Sequence, residues 1–362
     1  MELTINSTTL RNALKLISPA ILPSPVMPIL ANIKCEVFEE GKIILTGSNN
    51  RLTIKKTING ASKESFAVLL PFKKLLNICS ALPEQPINII FGKEIVITTG
   101  IEKYKIGLSG ELRDYPAEVE FLETTSLLID HDFLSAFYLS KNCVVKEESS
   151  LLFKNFVCVA VKNKNVFIMS TDGHQFMRYK KEIETDVQFR CLVDTDFIKA
   201  TDAINTGGTS NIIINNKYIR IEGKDITITG ILSEQVFPDV DIFFVDKNYN
   251  VSFKRKEMLA AINGIMVFEK PFYVCSLTFK KNLLEINYDD DFMEEHFNTN
   301  VAAEHTVEID SIDLNIKYLR NILMMMEGEE NVYMQVQAVN KFVRIGSDNE
   351  DYNFILMPYF KP

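Results

Sequence analysis

The sequence predicts an α+β fold in which six strand–helix–strand modules of antiparallel sheet and short helix make three similar domains. Three observations carry that prediction. One pattern returns about every 60 residues: a short alternating strand, a turn or capping residue, one amphipathic helix, then several alternating strands. The strand runs are rich in β-branched and aromatic residues at period two, the mark of half-buried antiparallel strands. The composition, 46% hydrophobic and 24% charged over 362 residues, is that of a globular protein with more chain than one core accommodates.

The modules follow in order. The first opens with Glu2-Leu3-Thr4-Ile5-Asn6 and a helix over 8–17, the second with Phe66-Ala67-Val68-Leu69-Leu70 and a helix over 72–82. Ser126-Leu127-Leu128-Ile129 precedes a helix over 132–142, and Phe189-Arg190-Cys191-Leu192-Val193 one over 195–205. The last two pair Asn250-Val251-Ser252-Phe253 with 255–265 and Thr306-Val307-Glu308-Ile309 with 315–326. Ser7, Asp194 and either Asp313 or Asn315 are the expected N-caps. Strand runs such as Ile43-Ile44-Leu45-Thr46, Ile87-Asn88-Ile89-Ile90-Phe91 and Tyr218-Ile219-Arg220-Ile221-Glu222 come after the helices. Turn chemistry separates them at Gly41, Gly47-Ser48-Asn49-Asn50, Gly92-Lys93, Asp172-Gly173, Asn215-Asn216, Gly223-Lys224-Asp225 and Asp289-Asp290-Asp291. One helix on one small sheet buries too little alone, so modules pair into domains at 1–122, 123–246 and 247–362, joined by polar stretches near 118–125 and 246–249.

Composition excludes several function classes. No apolar run reaches the roughly 20 residues that span a bilayer, and the N-terminus lacks a basic segment followed by an apolar stretch. The six cysteines are scattered and never form C-x-x-C, as expected of buried thiols in a reducing, cytoplasmic compartment. The four histidines, His131, His174, His296 and His305, lack metal-ligand spacing, and neither a phosphate-binding loop nor a G-x-S-x-G elbow occurs. Asp172 beside His174 is explained by an Asp-Gly hairpin turn, and the acids at 289–291 with Glu294 and Glu295 by a solvated loop. No catalysis, cofactor or metal is expected.

Charge is segregated. The whole chain carries −9, yet the six expected helices sum to about +6, through Arg11, Lys15, Lys73, Lys74, Lys141, Lys199, Arg255, Lys317 and Arg320 among others. A lone helical lysine is ordinarily just solvated. Equivalent helices sharing one face would instead form a basic lining suited to phosphate contacts without base readout. The third and fourth helices, neutral and −1, contribute least.

Several segments from end to end resemble the bacterial DNA polymerase III beta subunit, the processivity clamp. Met27-Pro28-Ile29-Leu30-Ala31-Asn32 resembles the family's L-P-I-L-x-N, and Ser170-Thr171-Asp172-Gly173-His174-Gln175-Phe176 its A-T-D-G-H-R-L. Val236-Phe237-Pro238-Asp239, Asn315-Ile316-Lys317-Tyr318-Leu319 and Leu356-Met357-Pro358 resemble its F-P-D, N-x-x-Y-L and M-P segments. The resemblance implies a clamp fold with helices lining a central hole and antiparallel sheets outside. It implies a head-to-tail homodimer that encircles double-stranded DNA, is placed there by a clamp loader, and tethers the replicative polymerase and other proteins carrying a short linear motif.

Carried over residue by residue, the peptide pocket would comprise Thr171, Gly173, His174, Gln175, Phe176, Pro238, Ile242, Phe243, Ile355, Leu356, Met357 and Pro358. The subunit contact would pair Tyr104, Ile106 and Leu108 with Met266 and Val267, followed directly by Phe268. The chain departs from the family pattern at Ser24, at Gln175 and Ile242 (both places where an arginine is usual), and in the aromatic tail Tyr359-Phe360-Lys361-Pro362. These departures imply a more apolar pocket with altered partner preference. The alternative reading is a non-catalytic protein-binding scaffold of the same fold with a reduced DNA role.

Overall fold

The structure, a computed structural model, describes residues 1–108, 110–122, 124–145, 151–204, 208–244, 248–268, 273–290 and 292–359. Position 205 of the fourth expected helix, parts of both expected joins (123 and 246–247), Asp291 and tail residues 360–362 lie outside them.

Six α-helices stand among the described residues: α1 (Ser7–Ile17), α2 (Phe72–Ala81), α3 (His131–Ser140), α4 (Thr195–Thr201), α5 (Arg255–Ile265) and α6 (Ile316–Met325). Each is amphipathic for a local reason. In α1, Leu10, Ala13, Leu14 and Ile17 fall on one stripe and are buried, while Lys15 stays exposed. The cap of α1 is Asn6, not Ser7. Asn6 has extended backbone, and its side-chain oxygen accepts from the amides of Thr8 (2.8 Å) and Thr9 (3.3 Å). Ser7 is buried, and its hydroxyl donates to the Pro83 carbonyl at 2.7 Å. Asp194 caps α4 through the Asp196 amide, and Asn315 caps α6 through the Lys317 amide. Asp313 instead accepts from the Ser276 hydroxyl.

Three other expectations need correction. Helix α4 stops at Thr201, and a 3-10 turn, Asp202–Ile204, replaces its last turn. The Thr201 hydroxyl donates to the Ile198 carbonyl at 2.7 Å, and Asp202 is unfavourable at the negative end of the helix dipole. The strand before α6 is Ser311–Asn315, not 306–309, because Ile312 and Leu314 bury fully where Val307 and Ile309 do not. Gly47 and Ser48 lie inside the strand Lys42–Ser48. The turn comes later, where the Asn49 side chain accepts from the Arg51 and Leu52 amides and Asn50 takes a φ of 69°.

The strands gather in two compact units. One comprises Met1–Tyr138 and Val193–Ser233, the other Leu139–Leu192 and Glu234–Pro362, so the middle third of the chain supplies both. In the first unit, Glu2–Asn6, Pro86–Phe91, Glu94–Thr98 and Lys103–Gly107 form a four-stranded antiparallel sheet. A second sheet runs Phe66–Pro71, Asn32–Val37, Lys42–Ser48, Leu52–Asn59, Ile226–Ser233, Tyr218–Glu222, Ser210–Ile214, Thr125–Ile129. Its seam, Leu52–Asn59 against Ile226–Ser233, joins strands from distant parts of the chain by a register that sets Ile54 opposite Ile228.

The second unit repeats this plan. Phe156–Lys162, Asn165–Thr171 and Gln175–Glu182 continue through Tyr352–Leu356 into Val343–Ser347, Asn331–Gln335 and Val251–Lys254. Its seam sets Phe176 opposite Ile355. Glu295–His305, Leu283–Asp290, Val274–Lys280 and Ser311–Asn315 form the four-stranded sheet here. All six cysteines are buried and free, and burial pushes the Cys79 thiol up to about 11. Among the described residues, no helix is long and apolar enough to cross a membrane.

Candidate functional site

The second unit's seam positions the site. Strands Asn165–Thr171 and Gln175–Glu182 form a hairpin whose loop, 172–174, is one residue longer than the expected two-residue Asp-Gly turn. The loop is held by its own side chains. One Asp172 carboxylate oxygen accepts from the amides of His174 and Gln175, both at 2.9 Å. The Thr171 hydroxyl accepts from the Gly173 amide (3.0 Å) and donates to the Gln175 carbonyl (2.8 Å). Gly173 has a φ of +93°, a conformation that side-chain-bearing residues rarely adopt.

Beside this loop lies a cleft of about 200 Å³. The hairpin contributes Thr171, Gly173, His174, Gln175 and Phe176, the following chain Pro238, Val240 and Phe243, and the C-terminal region Phe342, Ile355 and Met357. Phe153 and Lys154 complete the lining. The walls are aromatic: Phe176 packs on Phe237 and Phe244, Phe153 meets Phe237 edge-on at 5.8 Å, and Phe243 meets Phe342 edge-on at 5.4 Å. Behind them the Arg178 guanidinium lies 3.5 Å from the centre of the Phe244 ring. Arg344 donates to the Phe243 carbonyl, so two buried arginines steady the short helix Asp241–Phe244.

Nine of the twelve residues expected at the pocket line this cleft. Ile242 does not: it is 77% exposed. Successive residues of a 3-10 helix point about 120° apart, so Phe243 and Phe244 turn inward and Ile242 outward. Leu356 is fully buried, with a side chain on the opposite face of its strand from Ile355, and Pro358 is buried outside the lining. Sequence reading missed Phe153, Lys154, Val240 and Phe342. The first and last of these just precede strands, Phe156–Lys162 and Val343–Ser347, and no local motif marks them.

Gln175 has a second task. Its amide nitrogen donates to the Asn142 carbonyl (3.2 Å) and to Asp172 (3.0 Å), and its oxygen accepts from Asn321 at 2.9 Å. Asn321 also donates to the Asn142 carbonyl at 3.0 Å. This network ties α6 to the hairpin, and His174 stacks on Tyr318 with centroids 5.4 Å apart. Burial raises the Tyr318 hydroxyl, and Asp172 adds to it.

The helix cations divide into two groups. Lys15, Lys73, Lys74 and Lys317 are exposed. Lys141 is half-buried, and Arg11 leans on the Thr8 hydroxyl at 3.3 Å. Lys199 pairs with Asp196 at 2.9 Å, and Arg320 donates to Asn263 at 2.8 Å. Arg255 donates to the carbonyls of Leu323 (2.8 Å) and Glu329 (3.1 Å), closing the C-terminal end of α6. Of the residues expected at a subunit contact, Ile106 is buried core, Tyr104 half-buried, and Leu108 and Val267 exposed. Met266 is half-buried, and Phe268 stacks on Tyr288 at 5.4 Å. Among the described residues, no cluster of three His, Cys, Asp or Glu side chains could hold a metal ion.

Comparison with known proteins gives a consistent result. Residues 1–118 match the N-terminal domain of the DNA polymerase III beta subunit family. The beta sliding clamp of Streptococcus pneumoniae (strain ATCC BAA-255 / R6) is 23% identical, and that of Buchnera aphidicola subsp. Rhopalosiphum padi 24%, each alignment covering 99% of both chains. The fold is that of the DnaN sliding clamp (DNA polymerase III subunit beta) from Pseudomonas aeruginosa, solved bound to griselimycin, with a TM-score of 0.91 at 20% identity. The beta subunit from DNA polymerase of Streptococcus pyogenes gives 0.89 at 19%, and both matches span 100% of each chain. Residues 1–118 thus carry the N-terminal domain of the DNA polymerase III beta subunit family, and the whole chain is similar to the beta sliding clamps from end to end and has their fold.

Proposed function

We propose that this chain is a non-catalytic processivity factor of a cytoplasmic replication machinery. Two copies of three domains each, 1–122, 123–246 and 247–362, close head-to-tail into a ring around duplex DNA. A loader opens the ring, and the replicative polymerase and other proteins dock on it by short linear peptides. The observation that carries the reading is the aromatic-walled cleft beside the hairpin loop. It is concave, mainly apolar and preformed, with backbone and a few polar groups at its rim, as recognition of a short peptide by hydrophobic anchors requires. Met357 supplies an adaptable wall for a site used by several partners. Exposed Lys15, Lys73, Lys74 and Lys317 supply sequence-independent phosphate contacts.

The test has two arms. The purified protein should run at about twice its 41.3 kDa chain mass and, once loaded, persist on closed circular DNA but leave linear DNA. A partner-derived peptide should lose at least about tenfold in affinity on Phe176→Ala or Met357→Ala, the loss of one buried anchor contact. A monomer without loader-dependent retention, or affinity indifferent to both substitutions, overturns the proposal. A protein-binding scaffold with a reduced DNA role is the second reading, favoured by the engagement of Lys199, Arg255 and Arg320 within their own chain. It predicts peptide binding without retention on circles.

A further inference from the structure

Among the described residues, Lys154 is the one Lys, Arg, Asp or Glu that lines the cleft. It is half-buried, and its side chain lies across the hairpin loop: a Cβ built on Gly173 would stand 2.4 Å from the Lys154 ammonium nitrogen and 3.1 Å from the carbon beside it. The backbone of Lys154 is fixed, its amide donating to the Leu151 carbonyl and its carbonyl accepting from the Val145 amide. Among the described residues, no carboxylate pairs with its side chain, although the chain as a whole is acidic at −9. A half-buried ammonium lying over the loop backbone loses part of its hydration, and an incoming anion is a group that compensates it.

Of the other polar groups around the cleft, the His174 ring is stacked on Tyr318, and the Asp172 and Gln175 side chains already have hydrogen-bond partners. Asp172 is occupied by the amides of His174 and Gln175 and by the Gln175 side chain, and Gln175 by Asn142 and Asn321. Lys154 is therefore the permanently charged group that lines the cleft and can discriminate among occupants by charge. We infer that the cleft is specific for linear peptides bearing an Asp or Glu side chain close to an aromatic or large aliphatic anchor, and that Lys154 is the residue that selects the carboxylate. This deepens the peptide-docking reading and rests on it.

The experiment uses the full-length protein and fluorescein-labelled synthetic peptides, amidated at the C-terminus. Each carries a Phe anchor and an Asp one, two or three residues away, beside a twin with Asn in place of Asp. On the wild type, the best Asp peptide should bind about fivefold more tightly than its Asn twin, the range of a partly exposed ion pair. That preference should fall to about one on Lys154→Met, survive on Lys154→Arg, and shrink as salt is raised. If peptides bind and Phe176→Ala weakens them, yet the Asp-over-Asn ratio is unchanged by Lys154→Met, the selectivity is overturned and docking stands. A further set of Asn peptides is made with a free C-terminal carboxylate: if Lys154→Met weakens these and leaves the amidated Asp peptides unchanged, Lys154 reads chain ends, and the proposal of a side-chain carboxylate is overturned. If no peptide shows binding that Phe176→Ala weakens, the docking reading falls and this one with it.

Discussion

At the scale of single residues, the hairpin loop shows how few atoms build the site. Asp172 and Thr171 hold the loop from inside, and Gly173 supplies the backbone conformation that lets Lys154 lie flat across it. Gly173→Ala forces a side-chain-bearing residue to φ +93° and meets the flexible end of Lys154. The ammonium moves aside cheaply but the backbone strain remains, so a stability loss of about 1 kcal/mol is expected. Urea unfolding reads it as a lower midpoint, and an unchanged midpoint would show that the loop relaxes.

At the scale of elements, one contact decides how closely the first helix approaches its sheet. A Cβ on Gly47 would stand 2.3 Å from Cγ2 of Ile17, the last residue of α1 and fully buried. Gly47 is thus a packing residue, not the turn residue that Gly47-Ser48-Asn49-Asn50 suggests. Gly47→Ala overpacks this junction and should cost about 1–3 kcal/mol, because a buried Ile17 has nowhere to retreat. Chemical denaturation of the variant measures it. A neutral result would mean that α1 slides on the sheet without loss. Gly230 stands in a like relation to Phe197 of α4, with a built Cβ 2.5 Å from that ring, which is why both strands carry glycine where β-propensity alone argues against it.

At the scale of the whole molecule, each compact unit is made continuous by one seam between strands distant in sequence. In the first unit a clasp spans the sheet near that seam: Glu118 reaches Lys55 at 2.5 Å and Arg220 at 3.6 Å, and Arg220 stacks on Phe121. The hydrogen bond from Lys55 holds the Glu118 carboxyl below its ordinary range. A lowered folded-state value means the unfolded chain takes up the proton first as pH falls. The clasp therefore contributes at neutral pH and is lost as pH drops through the carboxylate range. Glu118 is more than half exposed, so screening keeps the contribution below about 1 kcal/mol. Stability curves of the wild type and Glu118→Gln should separate at pH 7 and converge near pH 3. A constant offset between them would rule out the ionised carboxylate as the cause.

The repeat and the helix positions were legible in the chain itself, and much of the cleft through its resemblance to a known family. Alternation in Ile226–Ser233 and the buried stripe of α1 follow from local periodicity, and the Asp-Gly pair announces a hairpin wherever it stands. Residues in quoted motifs, such as Thr171, Phe176 and Met357, could be named because those motifs resemble a known family's. What local sequence does not encode is which strands meet across long separations. The pairing of Gln175–Glu182 with Tyr352–Leu356 sets Phe176 beside Ile355, and only tertiary packing brings Phe153, Lys154, Val240 and Phe342 to the same cleft. Charge behaves likewise. Counting cations identified basic helices, but three-dimensional contacts decided that Arg255 closes α6 while Lys15 and Lys317 face solvent. Periodicity is a property of neighbours along the chain, and so the sequence by itself determined the modules. Partners in space are chosen by burial and hydrogen-bond satisfaction over the whole fold, and so the tertiary structure alone decided the lining of the cleft.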